Sequence, residues 1–130
     1  MKLQKLTPNL VVRDVARSME FYRSALGFAP AITVPEQAPY VFGSVTSGSV
    51  EIFFNDHKAV AEEYPALAAR QIGGCMTLFL EVEGIEEILG SVQKAGGKIT
   101  MPLKTQFYGM REFAFEDPEG WVVTIAERVT

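Results

Sequence analysis

The sequence predicts an α+β fold in which one β-α-β-β-β unit is used twice, giving a trough-shaped mixed sheet with helices on its outer face. Three observations carry this. Leu10-Val11-Val12-Arg13-Asp14-Val15 is matched 70 residues later by Leu80-Glu81-Val82-Glu83-Gly84-Ile85. The same offset pairs Met19 with Leu89, Tyr22 with Val92 and Gly27 with Gly97, and a fixed period is the mark of a repeated structural unit. In each half a strand-like run is followed by three further strand-like segments after a helical stripe.

In the first half, Asp14 is a good N-cap, Val15, Met19, Tyr22 and Leu26 form an apolar stripe, and Gly27 is the stop. In the second, Ile85, Ile88, Leu89 and Val92 stand at i, i+3, i+4 and i+7, and Gly96-Gly97 ends the run. Strands follow near Phe28–Val34, Tyr40–Ser47 and Ser49–Asn55, and again near Lys98–Pro102, Tyr108–Glu116 and Trp121–Arg128. Asp117-Pro118-Glu119-Gly120 suits a type I turn with a glycine bulge, closing the last pair as a hairpin. Two repeats, about 1–56 and 74–130, are thus expected to form a single domain spanning 1–130. A connector, about 57–73, is expected to hold a short helix around Ala59–Arg70.

Composition narrows the chemistry. The 130 residues are 48% hydrophobic and 22% charged, an ordinary globular balance that a chain of this length can fold without disulfide or metal. A net charge of −4 counts against nucleic acid or an anionic membrane as the main partner, since both require a basic face. No long apolar run suggests a signal peptide or a membrane span, so a cytoplasmic location is the expectation. One cysteine, Cys75, allows no intrachain disulfide, fits a reducing compartment, and has no evident histidine partner to activate it. One histidine, His57, excludes any metal site that needs two from a single chain, and is read as an exposed loop residue. Gly96-Gly97 follows a helix instead of opening one, so no phosphate-binding loop is present.

Strand alternation sorts the side chains into two faces. Asn9, Val11 and Arg13 share a face with Thr7; Phe53 and Asn55 share one with Glu51; Phe79 and Glu81 share one with Thr77. With Asp117 opposite Trp121, Phe113 lies near Ile125 and Phe115 near Val123 on the core side. Glu112, Ala114, Val122, Thr124 and Ala126 are left for the trough. Val50, Ile52, Phe54, Met76, Leu78, Leu80 and Val82 are assigned to the core. Apolar walls with a few polar groups suit a small-molecule site, although a solvated sheet face also reads mixed.

Several residues have two readings. Glu51 and Glu112 could pair for acid–base chemistry, or be two partly exposed acids. Phe53 and Phe79 could stack on an aromatic ligand or pack at a subunit interface, and Trp121 could be a ligand contact or a strand-end packing residue. An irregular stretch, Lys104–Phe107, leads to Tyr108, Met110 and Arg111, a candidate lid or wall. Arg111 could hold an anionic group or close a salt bridge at its strand.

Thr7-Pro-Asn-Leu-Val-Val-Arg-Asp14, Arg17-Ser-Met-Glu-Phe-Tyr22 and Leu26-Gly-Phe28 resemble the opening of the vicinal oxygen chelate superfamily. Gly109-Met-Arg-Glu-Phe-Ala-Phe-Glu-Asp-Pro-Glu-Gly-Trp121 resembles its closing hairpin. That superfamily includes glyoxalase I, extradiol dioxygenases and bleomycin-resistance proteins. Its enzymes place a divalent metal in the trough, and the ligand positions fall on Thr7, Glu51, Thr77 and Thr124. Neutral threonine oxygens supply neither charge nor suitable softness, so no metal and no cofactor is expected.

The closest likeness is to the metal-free bleomycin-resistance branch, which the resemblance associates with antibiotic resistance by sequestration. It implies a homodimer whose grooves hold a bulky aromatic or cationic compound through aromatic and acidic groups. The ligand-binding residues expected on this reading are Asn9, Phe53, Phe79, Tyr108, Met110, Arg111, Glu112 and Thr124. The rival is a metal-dependent lyase or dioxygenase of the glyoxalase type using Glu51, with Glu112 as a second candidate and the metal held unconventionally or through the partner chain. A third is a domain whose trough is a protein interface.

Overall fold

A computed structural model describes residues 1–129. The chain divides into two units. The first comprises Met1–Arg23 and Gly27–Arg70, and the second comprises Ser24–Leu26 with the chain from Gln71 onward.

In the first unit, β1 (Asn9–Val12), β2 (Ala29–Val34), β3 (Phe42–Ser47) and β4 (Val50–Asp56) form a sheet of order β1-β4-β3-β2. β1 and β4 run parallel with Asn9 beside Phe53, and the other neighbours are antiparallel. Helix α1 (Val15–Leu26) opens where the Asp14 carboxylate accepts the Arg17 amide at 3.0 Å, and closes at Gly27 in the left-handed conformation. Its Val15, Met19 and Tyr22 are buried, as are Leu10, Val12, Val45, Ile52 and Phe54 of the strands. Each such side chain contributes about 1.5–3 kcal/mol relative to exposure. Gly43 lets the helix lie close on β3, since a Cβ there would sit 2.3 Å from the Met19 sulfur and 2.9 Å from Val15 Cγ1.

The second unit repeats the plan. β5 (Thr77–Glu81), β6 (Lys98–Thr105), β7 (Met110–Glu116) and β8 (Val122–Arg128) are ordered β5-β8-β7-β6, with β5 and β8 parallel. Helix α3 (Ile85–Lys94) buries Ile85 and Val92, the counterparts of Val15 and Tyr22. The closing hairpin has the predicted register, Phe113 opposite Ile125 and Phe115 opposite Val123. Its turn is tied by Asp117, whose carboxylate accepts the amides of Glu119 and Trp121, both at 2.9 Å. The observed architecture is therefore the α+β arrangement of two four-stranded mixed sheets expected from the repeat.

Three local expectations are corrected. The connector helix is α2 (His57–Glu63), capped by Asp56, followed by a 3-10 turn at Pro65–Leu67, instead of one helix over Ala59–Arg70. Pro65 explains the stop, because the residue before proline is disfavoured in helical geometry. The start is set by the Asp56 carboxylate, which accepts the Lys58 and Ala59 amides, so His57, read as a loop residue, is the first helical residue. β6 continues through Pro102 to Thr105, so Lys104 and Thr105 are strand residues instead of irregular chain. Proline is tolerated there because β6 is an edge strand and its register shifts between Met101 and Lys104. Val50 and Met76, assigned to the core, are 41% and 51% exposed, since Val50 is the first residue of β4 and Met76 precedes β5.

Candidate functional site

Alternation along β7 and β8 sends Phe113, Phe115, Val123 and Ile125 to one face of the second sheet. It leaves Glu112, Ala114, Thr124 and Ala126 on the other, and these four are buried as well. Glu112 is the notable member, only 3% exposed. A buried carboxylate needs hydrogen-bond donors, and the Tyr108 hydroxyl donates to Glu112 Oε2 at 2.7 Å. Tyr108 lies at the tip of the β6–β7 hairpin, with Phe107 edge-on to it at 5.1 Å between ring centres. Phe79 of β5, beside Thr124 in register, is half-exposed. Met110 is buried.

Arg111, one residue from Glu112, lies on the opposite face by the same alternation and ion-pairs with Glu86 of α3. Of its two sequence readings, the salt bridge is the one seen, and the Arg111 guanidinium holds the Glu86 carboxyl below the usual range. Arg111 therefore does not join Met110, Glu112 and Thr124. It lines instead a cleft of about 730 Å³ with Glu81, Glu83, Glu127 and Arg128. The walls of that cleft are occupied with one another: Glu127 accepts the Gly84 and Ile85 amides at 2.7 and 3.4 Å, capping α3, and Arg128 is 3.9 Å from Glu81.

The Tyr108 phenol is raised above its ordinary pKa, first by its hydrogen bond to Glu112 and then by desolvation and the carboxylate's charge. The bond needs the neutral phenol. It is therefore fully present below the ordinary value of about 10 and is lost as pH rises through the raised one. Ultraviolet difference titration should show the tyrosinate signal that Tyr108→Phe removes emerging at higher pH than a free tyrosine. In Glu112→Gln that signal should move back toward the ordinary value.

The first sheet carries a separate polar face. Lys5 ion-pairs with Glu51 of β4, and the Asn55 side-chain amide donates to Asn9 Oδ1 across β1 and β4. Phe42 and Phe53 meet edge to face at 5.1 Å. Alternation had placed Asn9, Phe53, Asn55 and Glu51 on this face. Lys5 and Phe42 were missed: Lys5 precedes any strand pattern, and Phe42 is placed only by its register opposite Asn55.

Residues 3–125 match the family model described as Glyoxalase/Bleomycin resistance protein/Dioxygenase superfamily. The chain belongs to this superfamily. Solved structures show the same fold at low identity. One is TioX from Micromonospora sp. ML1, 19% identical with a TM-score of 0.78, covering 97% of this chain and 99% of that one. Another is a glyoxalase/bleomycin resistance protein/dioxygenase family enzyme from Burkholderia phytofirmans PsJN, at 22% and 0.81, covering 95% and 97%. A third is a glyoxalase-related enzyme from Fulvimarina pelagi, at 22% and 0.80, covering 97% and 89%. Comparison with curated proteins gives no match.

The superfamily's metal positions, Thr7, Glu51, Thr77 and Thr124, do not fit a divalent cation. The only carboxylate is neutralised by Lys5. The Thr77 and Thr124 hydroxyls bond to each other at 2.8 Å, and Thr77 also approaches the Val122 carbonyl at 3.2 Å. Among the described residues, no three His, Cys, Asp or Glu side chains gather as a metal would require. No described helix is long and apolar enough to cross a membrane.

Proposed function

We propose that this superfamily member is a metal-independent small-molecule binding protein that takes up a bulky aromatic or cationic compound, acting as a homodimer by sequestration. The observation that supports it best is Glu112, a carboxylate buried in a sheet face with a tyrosine hydroxyl as its donor. A hydroxyl compensates a buried negative charge incompletely. A ligand ammonium or iminium group placed against Glu112 supplies the missing charge, and Phe79, Phe107 and Tyr108 supply exposed apolar surface for its rings. The chain's charge of −4 draws a cation in the same direction.

Calorimetric titration with 1-methylquinolinium, a flat aromatic cation, tests this reading. Binding should weaken about tenfold or more in Glu112→Gln, the scale of a lost charge-assisted contact, while the melting temperature holds. Unchanged affinity in that variant would remove Glu112 from the site. The rival, a lyase or dioxygenase using Glu51, is tested by titrating the protein with nickel and zinc. No stoichiometric heat is expected. Tight binding abolished by Glu51→Ala would transfer the assignment to the rival.

A further inference from the structure

On the first sheet, two amides and two aromatic rings form one continuous patch. Asn9 is the register neighbour of Phe53 in the parallel β1–β4 pair, and Phe42 is the register neighbour of Asn55 in the β3–β4 pair. Asn55 stands two residues beyond Phe53 on β4 and so shares its face. The rings are in contact, and the Asn55 amide donates to Asn9 Oδ1. A side-chain amide offers two N–H donors and a carbonyl acceptor. This single bond therefore leaves the Asn9 N–H groups and the Asn55 carbonyl oxygen with capacity to spare, beside two half-buried rings.

We propose that this patch reads a lactam-type edge, an adjacent N–H and C=O, on a flat ring that packs against Phe42 and Phe53. The ligand N–H donates to Asn55 Oδ1, and the ligand carbonyl accepts from Asn9 Nδ2. With the existing Asn55-to-Asn9 bond, this closes a ring of three amides in which each donates once and accepts once. Such a closed circuit is favoured because hydrogen bonds in a chain polarise one another. A ligand with only an acceptor leaves Asn55 Oδ1 without its donor, which turns the patch into a specificity filter for this edge. The proposal rests on the small-molecule reading above and specifies a ligand class for a face that does not include Glu112.

The test is nitrogen-edited NMR titration of the whole chain with three probes of similar size: 2-quinolone, 1-methyl-2-quinolone and 1-methylquinolinium. The expected result is that 2-quinolone shifts the side-chain amide signals of Asn9 and Asn55, identified by their loss in Asn9→Ala and Asn55→Ala. It should bind about tenfold more tightly than its N-methyl analogue, the value of one hydrogen bond with its partner otherwise left unpaired. Asn55→Ala should erase that preference, whereas Asn9→Ala, which removes the donor to the carbonyl that both quinolones carry, and Phe53→Leu should each weaken the two alike. Equal affinity for the two quinolones, or 2-quinolone binding that leaves both amide signals unmoved, overturns the proposal. If 1-methylquinolinium binds in a Glu112-dependent way and 2-quinolone does not, the lactam filter falls and the binding reading stands. If none of the three binds, both fall.

Discussion

Gly73→Ala is expected to lower the stability of the second unit by about 3 kcal/mol, a melting shift on the order of 10 °C. Two costs add. Gly73 has φ +84, a left-handed conformation that costs an alanine about 1–2 kcal/mol. A Cβ there would also stand 2.6 Å from the Gly120 carbonyl oxygen and 2.7 Å from its carbon. Those are backbone atoms of the β7–β8 turn, which Asp117 ties on both sides, so the neighbour cannot rotate away as a side chain would. Thermal unfolding followed by circular dichroism measures the shift, with Gly90→Ala on the open face of α3 as the control, where nothing lies within 4 Å. A loss in Gly73→Ala no greater than in the control would mean that the Gly73–Gly120 approach is not a fixed feature.

Phe54→Ala is expected to cost about 3–5 kcal/mol, the range for removing a fully buried aromatic ring. Phe54 has no exposed surface and its ring meets Tyr22 at 5.2 Å, with Tyr22 in turn against Phe28. The side chain next to it, Phe53, faces the other way and is half-buried. Phe53→Ala should therefore cost well under half as much, while removing ring surface from the patch beside Asn9. Denaturant titration of the pair checks the alternation directly. Comparable losses would contradict the two-faced description of β4.

Most of the fold was legible because each half announces itself in several ways at once. Asp14, the Val15–Met19–Tyr22 stripe and Gly27 agree on one helix, and the Asp117-Pro118-Glu119-Gly120 turn sets the pairing of Phe113 with Ile125. Where one residue argued alone, the reading slipped. Pro102 looked like the end of a strand, and only the edge position of β6 shows why it is not. The site was legible as a list of face positions but not as a set of partners. Alternation placed Glu112 but not its bond to Tyr108, four residues away across a hairpin bend. Arg111 has two readings in the sequence, anion binding or a salt bridge, and alternation alone does not name Glu86 as the partner that decides between them. Lys5 was invisible because an ion pair over 46 residues leaves no local pattern.

The parallel pairing of first and last strands has a consequence for how the chain comes to be folded. Neither unit can complete its sheet by growing outward from a hairpin: β1 waits for β4, and β5 waits for β8. Asn9 must find Phe53, and Phe79 must find Thr124, after everything between them has been made. During synthesis from the N-terminus, β1 therefore stays unpaired until Asp56 has emerged, while β2, β3 and β4 can already zip locally. Long-range closure of this kind is slow relative to hairpin formation. Each half is therefore expected to form its hairpins first and to dock one strand afterwards, in the first unit along the seam where Asn9 meets Asn55.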